Sequence, residues 1–232
     1  MKIQELIQKC IIKSYETKEN IFDIVLQEIV NYIEKPAHTL DQIKEKESKR
    51  VKGLFFEELC KLYLKYVSNY DNVWSLQELP DEILKKLQLR KKDFGIDIIC
   101  SDKYGYCAVQ AKYRKINRSK KNVITWKMLS TFYALCLKTG PYNKYIVITN
   151  ADYITHMGPK TSKDKTVCLG LWKKIPVEIW LKMANVSSNS VATIKEIEEN
   201  KENKENEEKL NEEKEKEREK RLLALEKRLS QI

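Results

Sequence analysis

Asp97, Gln110 and Lys112 are residues whose types and spacing can do chemistry together, as Asp-x(12)-Gln-x-Lys. They offer a carboxylate, an amide oxygen and a lysine. Mg²⁺ takes hard oxygen ligands, needs only one or two protein groups, and completes its octahedron with water and substrate phosphate. Asp97 can supply the carboxylate, Gln110 its side-chain carbonyl, and Ala111 a backbone carbonyl between them. Lys112 then stands beside the cation as a fixed positive charge. There it can orient or help deprotonate an attacking water and stabilise charge building on a phosphoryl group.

Such a trio works only if the chain brings its members together, and a β-hairpin can do so. Ile96-Asp97-Ile98-Ile99-Cys100 has the length and β-branched content of a strand. Ser101-Asp102-Lys103-Tyr104-Gly105 is turn-forming, and Tyr106 to Lys112 reads as the return strand. If the turn closes on Asp102 and Gly105, paired residue numbers sum to 207. Asp97 then faces Gln110, Lys112 shares their side, and Ile96, Ile98, Val109 and Ala111 collect on the other. A slip of one residue would exchange the two faces.

The flanking elements follow from apolar spacing. Ile3, Leu6, Ile7, Cys10 and Ile11 form one helical stripe, and Phe22, Val25, Leu26, Ile29, Val30 and Ile33 another, closed by Pro36. These read as an accessory helical hairpin packed on the main domain. Thr39 is a fitting N-cap for a long helix running to about Val67. Asn72 to Leu76 reads as a strand, Pro80 to Leu89 as a short helix, and 122–138 as a helix carrying Trp126, Leu129, Phe132, Tyr133, Cys136 and Leu137 toward the core. Tyr145 to Thr149 is a buried strand, 155–166 a flexible basic loop with His156 as an ordinary loop residue, Val167 to Trp172 a further strand, and Pro176 to Met183 a last short helix. The alternation predicts an α/β fold, a mixed β-sheet flanked by helices.

Four ordered pieces now resemble a known family. Asp-x(12)-Gln-x-Lys is similar to the core of the PD-(D/E)xK nuclease superfamily in its D…QxK variant, as found in the restriction-endonuclease-like Mrr group and in helicase-associated nuclease domains. Gly53-Leu54-Phe55-Phe56-Glu57 resembles the G-x-x-F-E segment of the family's first core helix. Asp93-Phe94-Gly95-Ile96-Asp97 resembles its D-x-G-I-D motif, and Ile124 to Phe132 the helix after the lysine. The resemblance spans roughly residues 48–180. It implies a restriction-endonuclease-like core and Mg²⁺, with Mn²⁺ as a substitute, held by Asp97, Gln110, Ala111 and Glu57. It also implies DNA hydrolysis by water attack, leaving a 5′-phosphate and a 3′-hydroxyl, with Lys112 serving the water. Glu58 adjoins Glu57, about 100° around the helix, so only one can face such a site; the motif selects Glu57. Two positions depart from the pattern: Ile96 stands where the family name has Pro, and Gln110 where it has an acid.

Charge is uneven along the 232 residues and formal net charge of +10. Residues 194–232 hold 11 Lys and Arg against 13 Glu, so the remaining body carries 33 basic against 21 acidic groups. A basic body suits a polyanion, whose counterions are released on binding. The densest cluster, Arg114, Lys115, Arg118, Lys120 and Lys121, directly follows Lys112 and is the candidate DNA-phosphate contact. The six cysteines are scattered without a C-x-x-C pair, as in buried free thiols of a reducing compartment. Cys100 and Cys107 read as diagonal neighbours in the hairpin. With no signal peptide and no apolar run able to span a bilayer, the expectation is a soluble intracellular protein, in the cytoplasm or a nucleus-equivalent compartment, without membrane contact.

The expected organisation is accessory helices over 1–38, the nuclease core over 39–185, and a charged helix or tail over 186–232. In that last segment no sustained heptad supports a stable coiled coil, although Leu222, Leu223, Leu225 and Leu229 could dock or self-associate, as a homodimer would need. No Walker A motif is present, so any helicase or ATPase would be a separate partner. The favoured function is a metal-dependent endodeoxyribonuclease. The alternative is a catalytically weak or inactive nucleic-acid-binding module that retains the fold.

Overall fold

The computed structural model describes residues 2–34, 49–91, 95–115, 119–155 and 161–186. Its centre is a five-stranded mixed sheet built from β1 (Asn72–Ser75), β2 (Ile98–Asp102), β3 (Gly105–Lys112), β5 (Lys144–Thr149) and β7 (Asp164–Val167), in the order β1-β2-β3-β5-β7. The first three strands are antiparallel neighbours, and β3, β5 and β7 run parallel. Parallel pairing needs a crossover, and here it carries the helical covering of one face. Between β3 and β5 lie β4 (Val123–Ile124), a 3₁₀ turn (Trp126–Leu129) and α5 (Ser130–Lys138); β4 pairs in parallel with β6 (Tyr153–Ile154) as a separate two-stranded sheet.

Helices cover both faces. On one, Leu84 of α4 (Asp81–Lys86), with Leu79 and Leu87, packs with Leu129, Phe132 and Cys136 over Ile99, Ala108 and Val147. Against the other lies α3 (Lys49–Tyr66), whose Phe56, Leu59, Cys60 and Leu64 are fully buried. The N-terminal helices α1 (Ile3–Thr17) and α2 (Ile21–Glu34) pack outside α3 together with α6 (Leu169–Trp172) and α7 (Val177–Met183). An aromatic knot joins them. Phe22 stacks on Trp172 at 4.7 Å between ring centroids, Tyr63 tilts against the same indole at 4.7 Å, and Phe56 meets it at 5.9 Å. The stripe Ile3, Leu6, Ile7, Cys10 and Ile11 is buried throughout, as its spacing predicts.

Several expectations change. The strand expected over Val167 to Trp172 is instead β7 at Asp164–Val167, inside the expected loop, followed by the helical turn α6. Tyr145↔Asp164 and Ile148↔Val167 pairing with β5 outweighs the polar look of that stretch. The helix expected over 122–138 begins only at Trp126, because Val123 and Ile124 pair with Tyr153 and Ile154. Leu137 is 80% exposed rather than core, and Trp126 is half-buried, stacked on Tyr133 at 4.4 Å. Cys100 and Cys107 are direct cross-strand partners, not diagonal, as their own sum of 207 requires. None of the six cysteines is in a disulfide. Thr39, His156 and the segment 187–232 lie outside the described residues.

Candidate active site

The hairpin register follows the 207 sum from Asp102↔Gly105 through Ile98↔Val109. It then changes at Asp97. The Asp97 N–H donates to the Val109 carbonyl at 3.0 Å, so Asp97 and Ile98 both oppose Val109, the two-against-one count of a β-bulge. Direct facing of Asp97 and Gln110 is therefore replaced by an offset of one residue, and their expected common side is lost with it. Asp97 comes to the Ile98 and α3 side, where its charge reaches Glu57 and Cys60, while Gln110 and Lys112 alternate with Val109 along β3. The same bulge moves Ile96 from the expected Ile98–Val109 side into the cluster of Ile99, Ala108 and Phe132. The physical cause lies on both flanks. Leu76 N–H takes the Asp97 carbonyl at 3.1 Å, holding the strand where β1 ends. On the other side a Cβ on Gly95 would come 2.9 Å from Leu135 Cδ1 and 3.2 Å from the Phe132 backbone nitrogen, so the turn before Asp97 lies directly on α5.

The offset re-aims the Asp97 carboxylate along β3. Asp97 Oδ2 accepts the Ala111 N–H at 2.8 Å, next to Gln110 and Lys112. Burial pushes the Asp97 carboxyl up to about 6, against the lowering pull of the Ala111 N–H and the Lys112 ammonium. Glu57 on α3 stands near the same carboxylate. Burial first, then the Asp97 charge, raises it to about 7. Glu58 is turned elsewhere: Lys61 Nζ pairs with it at 3.1 Å and with Glu78 at 2.7 Å. Gly53 sits one turn ahead of Glu57, and a Cβ there would meet only Glu57 Oε1, at 4.0 Å.

Gln110 is 7% exposed, and its Oε1 has no hydrogen-bond partner. A buried amide oxygen without a donor costs free energy unless something electropositive meets it. Two raised carboxyls near one another pose the same demand. The donor set is all hard oxygen, which fits Mg²⁺ or Mn²⁺. Among the described residues no group of three or more His, Cys, Asp or Glu converges as a metal site, so a third protein oxygen has to come from an amide or the backbone.

Beyond Lys112 the chain is clamped. Thr149 Oγ1 donates to the Lys112 carbonyl at 2.6 Å. Asn150, 4% exposed, accepts the Arg114 N–H at 2.7 Å and donates to the Arg114 carbonyl at 2.8 Å. Sequence reading passed over Thr149 and Asn150, although two polar residues directly after the apolar run Ile146-Val147-Ile148 were a signal. Of the expected phosphate contacts, Lys115, Lys120 and Lys121 are exposed, Arg114 is half-buried, and Arg118 lies outside the described residues. No described helix is long and apolar enough to cross a membrane.

Comparison with known proteins adds a family to this geometry. Residues 62–171 match the Mrr_cat_2 family, described as restriction endonuclease. No curated protein and no solved structure matches the chain significantly. The match takes in Asp97, Gln110, Ala111 and Lys112, while Glu57 lies before it. That match, with the mixed sheet flanked by helices, is consistent with a restriction-endonuclease-like domain of the PD-(D/E)xK kind.

Proposed function

We propose that this protein is a metal-dependent endonuclease that hydrolyses DNA phosphodiester bonds. One observation carries the reading: a carboxylate anchored at 2.8 Å on the N–H of Ala111, which stands between Gln110, whose buried amide oxygen has no partner, and Lys112, which pulls on the carboxylate's titration. Asp97, Glu57, Gln110 Oε1 and the Ala111 carbonyl would hold Mg²⁺ or Mn²⁺. The ion would supply Lewis acidity toward the phosphoryl oxygen and lower the pKa of the attacking water.

The chain's own groups do the rest. The Ala111 N–H fixes the orientation of Asp97, so no rotamer search precedes ion binding. Lys112 presents its ammonium at the end of β3, where it orients the water and offsets charge on the phosphoryl oxygens. Water adds to phosphorus, the P–O3′ bond breaks, and the products are a 5′-phosphate and a 3′-hydroxyl. Arg114, Lys115, Lys120 and Lys121, with Arg118, hold neighbouring phosphates and position the strand.

A second reading, a nucleic-acid-binding module without cleavage, is favoured by the neutral Gln110. Digestion of plasmid, branched and single-stranded DNA across a Mg²⁺ and Mn²⁺ titration separates the two. Cleavage is expected to require the ion, to stop with EDTA, and to fall by at least about 10²-fold in Lys112→Ala while most DNA binding remains. Cleavage that survives EDTA would refute the mechanism, and ion-independent binding with no cleavage of any substrate would establish the second reading.

A further inference from the structure

A cavity of about 430 Å³ opens beside the ends of β3 and β5. Its walls include Lys120, Lys121 and Asn150 from the core, Asp152 after β5, Asp23 of α2, and Lys173 after α6. Asn150 directly follows Thr149, the strand partner of Lys112, so the cavity lies off the same strand ends as the reacting lysine. Its volume is in the range of small-ligand sites, enough for a phosphate with its flanking sugar.

The charges in it are already sorted. Asp152 Oδ2 accepts the Asn122 N–H at 2.7 Å. Asp23 pairs with Lys173 at 2.7 Å, both partners part-exposed. Lys120 and Lys121 are exposed and form no ion pair among the described residues. With Asp152 on a backbone N–H and Asp23 on Lys173, the cations of the cavity without an ion pair among the described residues are Lys120 and Lys121. The N-terminal helices thus do more than cover α3: α2 supplies a wall and a counter-charge.

We propose that this cavity takes a backbone phosphate of the bound nucleic-acid strand, with Lys120, Lys121 and Lys173 as its cationic groups and Asp23 as a built-in competitor for Lys173. The inference rests on the nucleic-acid reading above and extends the substrate surface to the N-terminal helices. Exchange of the Asp23 carboxylate for a phosphate oxygen on Lys173 makes the contact, and salt sensitivity reports it.

The test is binding of the full chain to a labelled DNA duplex in EDTA, by fluorescence anisotropy, over a series of salt concentrations. Lys173→Gln is expected to weaken binding a few-fold and to reduce the slope of log K against log salt by about one. Asp23→Asn, which releases Lys173, is expected to tighten binding and leave the slope as steep or steeper. Both carry opposite signs, so general destabilisation cannot imitate the pair. Failure of the unaltered protein to bind DNA would overturn both readings. A normal slope that neither substitution changes would overturn this one alone. So would saturable binding of a deoxynucleoside monophosphate that Lys173→Gln abolishes while duplex binding is untouched, since that would mark a site for a free phosphate ester.

Discussion

Gln110 is the residue on which the proposed chemistry turns. Its amide oxygen is buried without a partner, one residue before the Ala111 N–H that holds Asp97, and a neutral oxygen binds a hard cation more weakly than a charged one. Gln110→Glu is expected to keep or raise cleavage and to lower the Mg²⁺ concentration at half-maximal rate, read from metal titrations of initial rate. Glu57 and Asp97 give a stability prediction in the ion-free protein. Both folded-state carboxyls are raised, to about 7 and about 6, chiefly by burial. A raised carboxyl favours the fold while protonated, and that contribution is lost as pH climbs through the folded value. Glu57→Gln is therefore expected to melt higher than the parent at pH 8 in EDTA, by about a few degrees, and level with it near pH 4. Saturating Mg²⁺ is expected to close the gap at pH 8 by raising the parent, because a ligand bound only by the folded state stabilises it. Thermal melts at the two pH values, with and without the ion, check the sign.

At the scale of elements, two glycines of similar motif standing have opposite physics. Gly53 lies inside α3, and a would-be Cβ meets only Glu57 Oε1, at an ordinary contact distance of 4.0 Å, so Gly53→Ala is expected to stabilise the fold by about 0.5–1 kcal/mol through helix propensity. Gly95 presses on α5, where an added methyl would sit 2.9 Å from Leu135 Cδ1 and 3.2 Å from the Phe132 nitrogen. The leucine tip can give way, but the helix backbone cannot. Gly95→Ala is expected to cost about 1–3 kcal/mol in denaturant unfolding and to disturb the Asp97 bulge. An unfolding free energy unchanged by Gly95→Ala would show that the bulge does not depend on that close approach. The strand pairing of Asp164–Val167 shows the same dominance of tertiary contact over local pattern, since a lysine- and threonine-bearing segment joins the sheet edge beside β5.

At the scale of the molecule, the N-terminal helices and the last helices meet in one aromatic core around Trp172. Phe22 stacks on it nearly parallel, at 6° between planes, and Phe56 and Tyr63 complete the contact from α3, the helix that carries Glu57. Phe22→Ala is expected to cost about 3–5 kcal/mol of stability, with a matching loss of Tm. The variant is also expected to lose cleavage before it unfolds, because α3 is held against the sheet from outside by this knot. Chemical denaturation alongside activity at the same temperature checks both parts. A loss below about 1 kcal/mol would mean that α1 and α2 are peripheral to the core.

What the sequence determined by itself was whatever short-range physics enforces. The stripe of α1 and the register of Ile98–Asp102 on Gly105–Val109 follow from side-chain periodicity and a tight turn, which involve neighbours only. The motif that marks the candidate site is likewise a matter of residue types and spacing alone. Tertiary structure decided the rest. The one-residue bulge at Asp97 depends on Leu76 and on α5, segments well separated from it in sequence, and it aims the carboxylate at the Ala111 N–H. Which of Glu57 and Glu58 stands near Asp97 depends on Lys61, which pairs with Glu58 as well as Glu78 and leaves Glu57 to feel the Asp97 charge. The clamp of Asn150 on Arg114 and the meeting of Asp23 with Lys173 join residues 36 and 150 positions apart. Contacts of that separation carry no local periodicity, so only the packed chain could reveal them.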